Sequence, residues 1–99
     1  MKFNFEWDSL KANENLQKHK LTFERAAEIF LDPLALSIFD EEHSSQEDRW
    51  ITIGKDHSDR LLVVVHTFRE KDNNNAIIRM ISARTATKRE GGQYRGEDV

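Results

Sequence analysis

The chain has 99 residues, a formal net charge of -3 and no cysteine, which fits one domain with a single core and excludes disulfides and thiolate metal sites. Its apolar runs fall well short of the roughly 20 residues that span a bilayer, and its first residues lack a signal-peptide apolar region, so a soluble cytoplasmic protein with no membrane partner is expected. The charge is uneven: residues 1–50 carry six Lys/Arg against eleven Asp/Glu and residues 51–99 nine against seven, which argues against indiscriminate coating of nucleic acid but allows a local basic face.

In chain order, residues 3–7 alternate apolar and polar side chains, the pattern of a strand with one buried face. Asp8 is a good N-cap, and residues 9–18 read as a helix with Ala12, Leu16 and His19 along one side. Lys18-His19-Lys20 closes it with charge that suits the negative end of the helix dipole. Thr22 caps a second helix over residues 23–31, with Phe23, Ala26, Ala27 and Phe30 as its buried stripe, and Asp32-Pro33 stops it. The two form a helical hairpin. Residues 34–39 then read as a strand, the acidic run 40–48 as a solvated loop, residues 49–54 as a further strand and 55–59 as a tight connection.

Two runs that are apolar on both faces, residues 61–69 and 76–84, flank the turn-favouring stretch 70–75 and predict a central β-hairpin covered above and below. Thr85 is expected to cap a last short helix over residues 86–90. Gly91-Gly92 should end that helix, leaving 91–99 as a flexible tail with Tyr94 as its one anchor. The predicted architecture is α+β: an antiparallel sheet of about five strands, a helical hairpin packed on one face and a short C-terminal helix. Phe3 and Phe5 have no evident cover within it and suggest a partner interface with apolar residues.

His66, Arg69, Arg79 and Arg84 are charges placed where a covered hairpin should have none. If the six-residue loop closes so that Arg69 faces Ala76, His66 stands beside Arg79, while Arg69 and Arg84 point to the other face. The alternative reading makes the arginines strand-end residues whose stems pack on the sheet while their heads reach water. The four histidines, His19, His43, His57 and His66, show no zinc-like paired spacing, so no metal or other cofactor is expected.

The strings Phe5-Glu6-Trp7-Asp8, Lys11, Asn15, Lys18-His19, Phe23-Glu24-x-Ala26, Phe30-x-Asp32, Arg49 with Gly54, Leu62-Val63-Val64-Val65 and Arg79-x-Ile81-Ser82-Ala83-Arg84-x-Ala86 resemble the BrnT family of bacterial type II toxins. The resemblance runs from about Phe3 to Glu90. It implies a ribonuclease toxin with a RelE-like fold that inhibits translation and growth. It also implies a BrnA-type antitoxin encoded alongside as the neutralising partner, with operator DNA bound only through that antitoxin. Two positions depart from the family pattern: Gly91-Gly92 interrupt the basic C-terminal helix, and Lys20 stands where glycine commonly follows Lys-His.

RNA cleavage without metal requires a base for the 2′-hydroxyl, an acid for the departing 5′-oxygen and positive charge at phosphorus. Arg79 and Arg84 suit the last role, because a guanidinium fork matches phosphate oxygens and keeps its charge. His19 or His66 suits base or acid, Lys18 is a further phosphate contact or proton donor, and Lys88, Arg89 and Arg69 are candidate RNA contacts. The alternative reading has His19 only ending its helix and His66 as a hydrogen-bonded core histidine. The competing functions are a non-catalytic regulatory subunit that acts only through its protein partner and a repressor acting alone; net negative charge and the lack of a DNA-binding motif disfavour the repressor.

Overall fold

The computed structural model describes residues 1–97. Six strands make one sheet: β1 (Lys2–Glu6), β2 (Leu36–Phe39), β3 (Arg49–Lys55), β4 (Leu61–Thr67), β5 (Arg69–Asp72) and β6 (Asn75–Thr85). Their spatial order is β1-β6-β4-β3-β2, and β5 pairs β6 on the side opposite β1. The helices are α1 (Ser9–His19), α2 (Phe23–Ala27), which tightens into a 3-10 turn over Glu28–Leu31, and α3 (Lys88–Tyr94). Among the described residues no helix is long and apolar enough to cross a membrane.

The two doubly apolar runs are adjacent antiparallel strands inside the sheet, as their covered pattern predicts. Their connection differs from the expected six-residue loop. The polar stretch is itself a strand, β5, and the chain reverses at Asn73-Asn74, where the Asp72 carboxylate accepts from the Asn74 N–H at 2.9 Å. An Asx turn of this kind lets polar residues stay extended until the reversal itself. The register shifts with it: a bulge between Val65 and His66 sets His66 opposite Met80, not Arg79. The bulge leaves Met80 and Ala83 in the same core cluster although they are three residues apart. The sheet is also not wholly antiparallel, since β1 runs parallel to β6 with Phe3 against Ala76 and Glu6 against Arg79.

Under one face lie Phe23, Ala26 and Ile29 of the helical segments, packed on Leu62, Val64, Ile78, Met80 and Ala83. The two helical segments pack chiefly on the sheet, α1 on β6 and α2 on β6 and β4. Phe3 and Phe5 find cover within the chain, stacking edge-on or tilted against Phe30 with ring centroids 6.2 and 5.5 Å away, although Phe5 stays partly exposed. Gly54 lies where the sheet meets the 3-10 turn most closely, and a Cβ there would stand 3.0 Å from that of Ile29.

Of the stripe expected on α1, Ala12 and His19 are partly buried, but the middle position falls one residue earlier. Leu16 is exposed, and Asn15 is the residue of α1 that is buried. Its amide donates to the carbonyls of Leu21 and Ala83 at 3.0 and 2.9 Å and accepts from the Ala83 N–H at 2.9 Å. β1 pairs β6 only as far as Arg79, so the outer edge of β6 beyond that point has no strand neighbour, and Asn15 supplies a side-chain amide in place of a backbone one. Lys20 ends α1 in the left-handed conformation, φ 59°, with its N–H on Leu16 O.

The last helix also departs from expectation. Thr87, not Thr85, caps it, and it runs through Gly91-Gly92 instead of stopping there, with both glycines buried. At Gly91 α3 lies against the second face of the sheet, where an alanine Cβ would make an ordinary contact with Leu61 at 3.6 Å and meet the flexible end of Arg95 at 3.2 Å. Tyr94 does anchor this region, donating to Asp32 at 2.6 Å. Residues 98 and 99 of the expected tail lie outside the described residues.

Candidate active-site cleft

Alternation along β1 sends Lys2, Asn4 and Glu6 to the face away from Phe3 and Phe5, and the parallel register places Glu6 beside Arg79. Arg69, at the start of β5, pairs Ile77 on the other side of β6. These positions converge on an open cleft of about 340 Å³ that brings together Arg69, Arg79 and Glu6 over a floor of Thr67, Ile77 and Phe68. Glu47 and Asp48, from the acidic connection before β3, form its rim. Arg79 also borders a second depression with Glu6, Trp7 and Asp8.

Arg79 and Arg69 are exposed, and among the described residues neither has a carboxylate within the 4.0 Å of an ion pair. Arg84 is in a different state. Its guanidinium grips Glu90 with two bonds of 2.7 Å, and the Thr87 N–H donates to the same carboxylate at 2.9 Å. The Arg84 hydrogen bonds hold the Glu90 carboxyl down at about 2, against the opposing effect of burial, with Thr87 assisting. Five residues along a strand span roughly 16 Å, and Arg84 does not line the cleft of Arg79.

Lys18 and His19 line a separate, shallower cleft with Lys11 and Glu14 against Ile81 and Ser82 of β6. The two clefts are thus strung along one strand, roughly 10 Å apart. Lys88 and Arg89 are exposed on α3, next to Gly92 and Arg95. His66 is buried at 3% exposure. Its Nε2 meets Thr52 Oγ1 at 2.6 Å, its Nδ1 meets the Thr67 carbonyl at 2.9 Å, and its ring stands edge-on to Phe30 at 4.9 Å. Burial pushes its pKa below 6.5, and the Thr67 carbonyl opposes that only in part. Both ring nitrogens are engaged within the core, and His66 lines neither cleft.

Among the described residues no three His, Cys, Asp or Glu side chains are grouped to hold a metal ion. Reasoning from sequence did not single out Glu6, Glu47, Asp48 or Phe68. Glu6 carried a signal, since it is the polar member of an alternating strand. Its position beside Arg79 did not, because a parallel pairing across more than seventy residues leaves no local mark.

Residues 7–90 match the profile of the family described as the ribonuclease toxin, BrnT, of type II toxin-antitoxin systems. The chain belongs to the BrnT family. It is also similar in fold to the crystal structure of the Brucella abortus ribonuclease toxin BrnT, with a TM-score of 0.62 at 23% sequence identity over 88% of this chain and all of that one. Comparison with curated proteins gives no significant match. As in other BrnT toxins of type II systems, the protein partner is an antitoxin.

Proposed function

We propose that this BrnT-family chain cleaves RNA without a metal cofactor, that its phosphodiester site is the Arg79 cleft, and that a BrnA-type antitoxin silences it within a RelE-like mode of action that slows translation and growth. The observation that carries this reading is an exposed Arg79, with no ion pair among the described residues, set beside a carboxylate, Glu6, on adjacent strands. Two guanidinium groups, Arg79 and Arg69, hold the phosphate and balance the charge that builds at phosphorus. Glu6 takes the 2′-hydroxyl proton as that oxygen attacks; the P–O5′ bond breaks, the 5′-oxygen gains a proton from solvent, and a 2′,3′-cyclic phosphate remains. Lys18 and His19, farther along β6, hold a neighbouring phosphate of the same RNA strand.

On this reading Arg84 and His66 are supporting residues, one fastening α3 and the other filling the core. The test is RNA cleavage by the purified chain in the presence of EDTA. Arg79→Ala and Glu6→Gln should each lower the rate by about 10²-fold or more while the melting temperature holds. Full activity in both variants would overturn the cleft assignment. No cleavage by the unaltered chain, with antitoxin binding retained, would favour the non-catalytic subunit.

A further inference from the structure

β2 is the edge strand of the sheet, and all four of its residues, Leu36 to Phe39, are exposed. An edge strand in a soluble protein is normally blunted by lysine, proline or a bulge, because its free N–H and C=O groups accept another strand. β2 carries none of these. Asp40 N–H bonds Arg49 O at 2.9 Å, so by alternation the inward bonds fall on residues 38 and 36, and the free backbone groups belong to Ser37 and Phe39. Leu36 and Ile38 stand on the face that α3 covers only in part. There the register sets Ile38 in a row with Ile51 and Val65, which are themselves only partly buried.

We infer that an extended segment of the antitoxin adds to β2 as a further strand, its alternate apolar side chains extending the Ile38 row and its basic flank lying on the acidic run 40–48. The inference rests on the toxin–antitoxin reading above. Charge selects the partner: beyond the Phe39 end of the strand Asp40 is engaged by His43, and Glu47 and Asp48 share the cleft with Arg69 and Arg79, while Glu41 and Glu42 are exposed and have no ion pair among the described residues. Pairing with a second copy is the weaker fit. Two four-residue edges bury far less than the roughly 1,200 Å² of a stable interface, whereas a partner segment that continues along the acidic run gains area and charge together. Such a segment reaches Glu47 and Asp48, which rim the Arg79 cleft, and so closes the cleft without any change of fold.

The probe is the antitoxin encoded beside this chain, bound to the full-length toxin. Backbone exchange at Ser37 and Phe39 should slow at least tenfold in the complex, Ile38→Lys should weaken binding at least tenfold with RNA cleavage by the free toxin unchanged, and Glu41→Lys with Glu42→Lys should slow association at low salt. If the toxin cleaves RNA and binds the antitoxin but exchange at Ser37 and Phe39 is unaltered, the edge assignment is wrong while the toxin reading stands. A dimer of the isolated chain that Ile38→Lys dissolves would replace the antitoxin by a second copy. Neither cleavage nor antitoxin binding by the unaltered chain would remove the toxin reading itself.

Discussion

His66 and Asn15 are buried polar side chains whose burial is answered by hydrogen bonds, and each makes a measurable prediction. His66 is neutral in the fold, with a pKa held below its ordinary 6.5 by burial. The unfolded chain therefore binds a proton in the window just below 6.5 that the folded one refuses, and this contribution to stability is full above 6.5 and declines as pH falls through that window. Denaturant titrations at pH 7.5 and 5.5 should show the loss, and His66→Gln should flatten it while sparing RNA cleavage. A His66→Gln variant with its slope intact and its activity gone would return His66 to the catalytic site. Asn15→Leu removes a partner from both backbone groups of Ala83; at about 1–3 kcal/mol for each unsatisfied group, chemical denaturation should register a loss of roughly 3 kcal/mol. The sequence showed Asn15 as part of a motif but not as buried, because a search for an apolar stripe selects Leu16, which is exposed.

At the scale of elements, strand patterning was legible and the positions of reversal were not. The runs around Val63 and Ile78 are so strongly β-branched and apolar that strand is the one conformation that uses them. The polar stretch from Glu70 to Asn75 looks like a loop because its composition favours turns, yet pairing with β6 holds most of it extended. Tertiary pairing overrides local preference here. The same holds for α3, which runs through two buried glycines that would weaken an isolated helix by about 1 kcal/mol each. What fastens α3 is the carboxylate of Glu90, shared between Arg84 and the Thr87 cap. Glu90→Gln should therefore lower stability by about 1–2 kcal/mol and loosen α3 in hydrogen exchange with β6 unaffected. Because the Glu90 carboxyl is held near 2 in the fold, its stabilising effect is complete above the ordinary value of 4.5 and fades as pH falls from there toward 2, a window separate from that of His66.

For the molecule as a whole, family membership and the central sheet could be read from motifs spread along the chain, whereas the site could not. Arg79 and Arg84 share one motif string, but β6 spreads them over roughly 16 Å, and one of them is held by a glutamate. Electrostatics at this scale makes a further prediction. Lys88 and Arg89 are exposed on α3 and away from both clefts, so Lys88→Ala and Arg89→Ala should each weaken RNA binding modestly and reduce its dependence on salt by about one counterion or less, with the rate for bound RNA unchanged.

The parallel pairing of β1 with β6 has a consequence in time as well as in space. Glu6 precedes Arg79 by more than seventy residues, and Arg79 belongs to the last strand of the sheet. Contacts so far apart in the chain form late, because the intervening loop must be closed before they contribute. While a ribosome is still making the toxin, β1 waits without its neighbour and the Arg79 cleft has only one of its walls. The cleft is therefore finished only once β6 has been made and has paired with β1, and on the proposed reading an antitoxin already present can meet the chain before that.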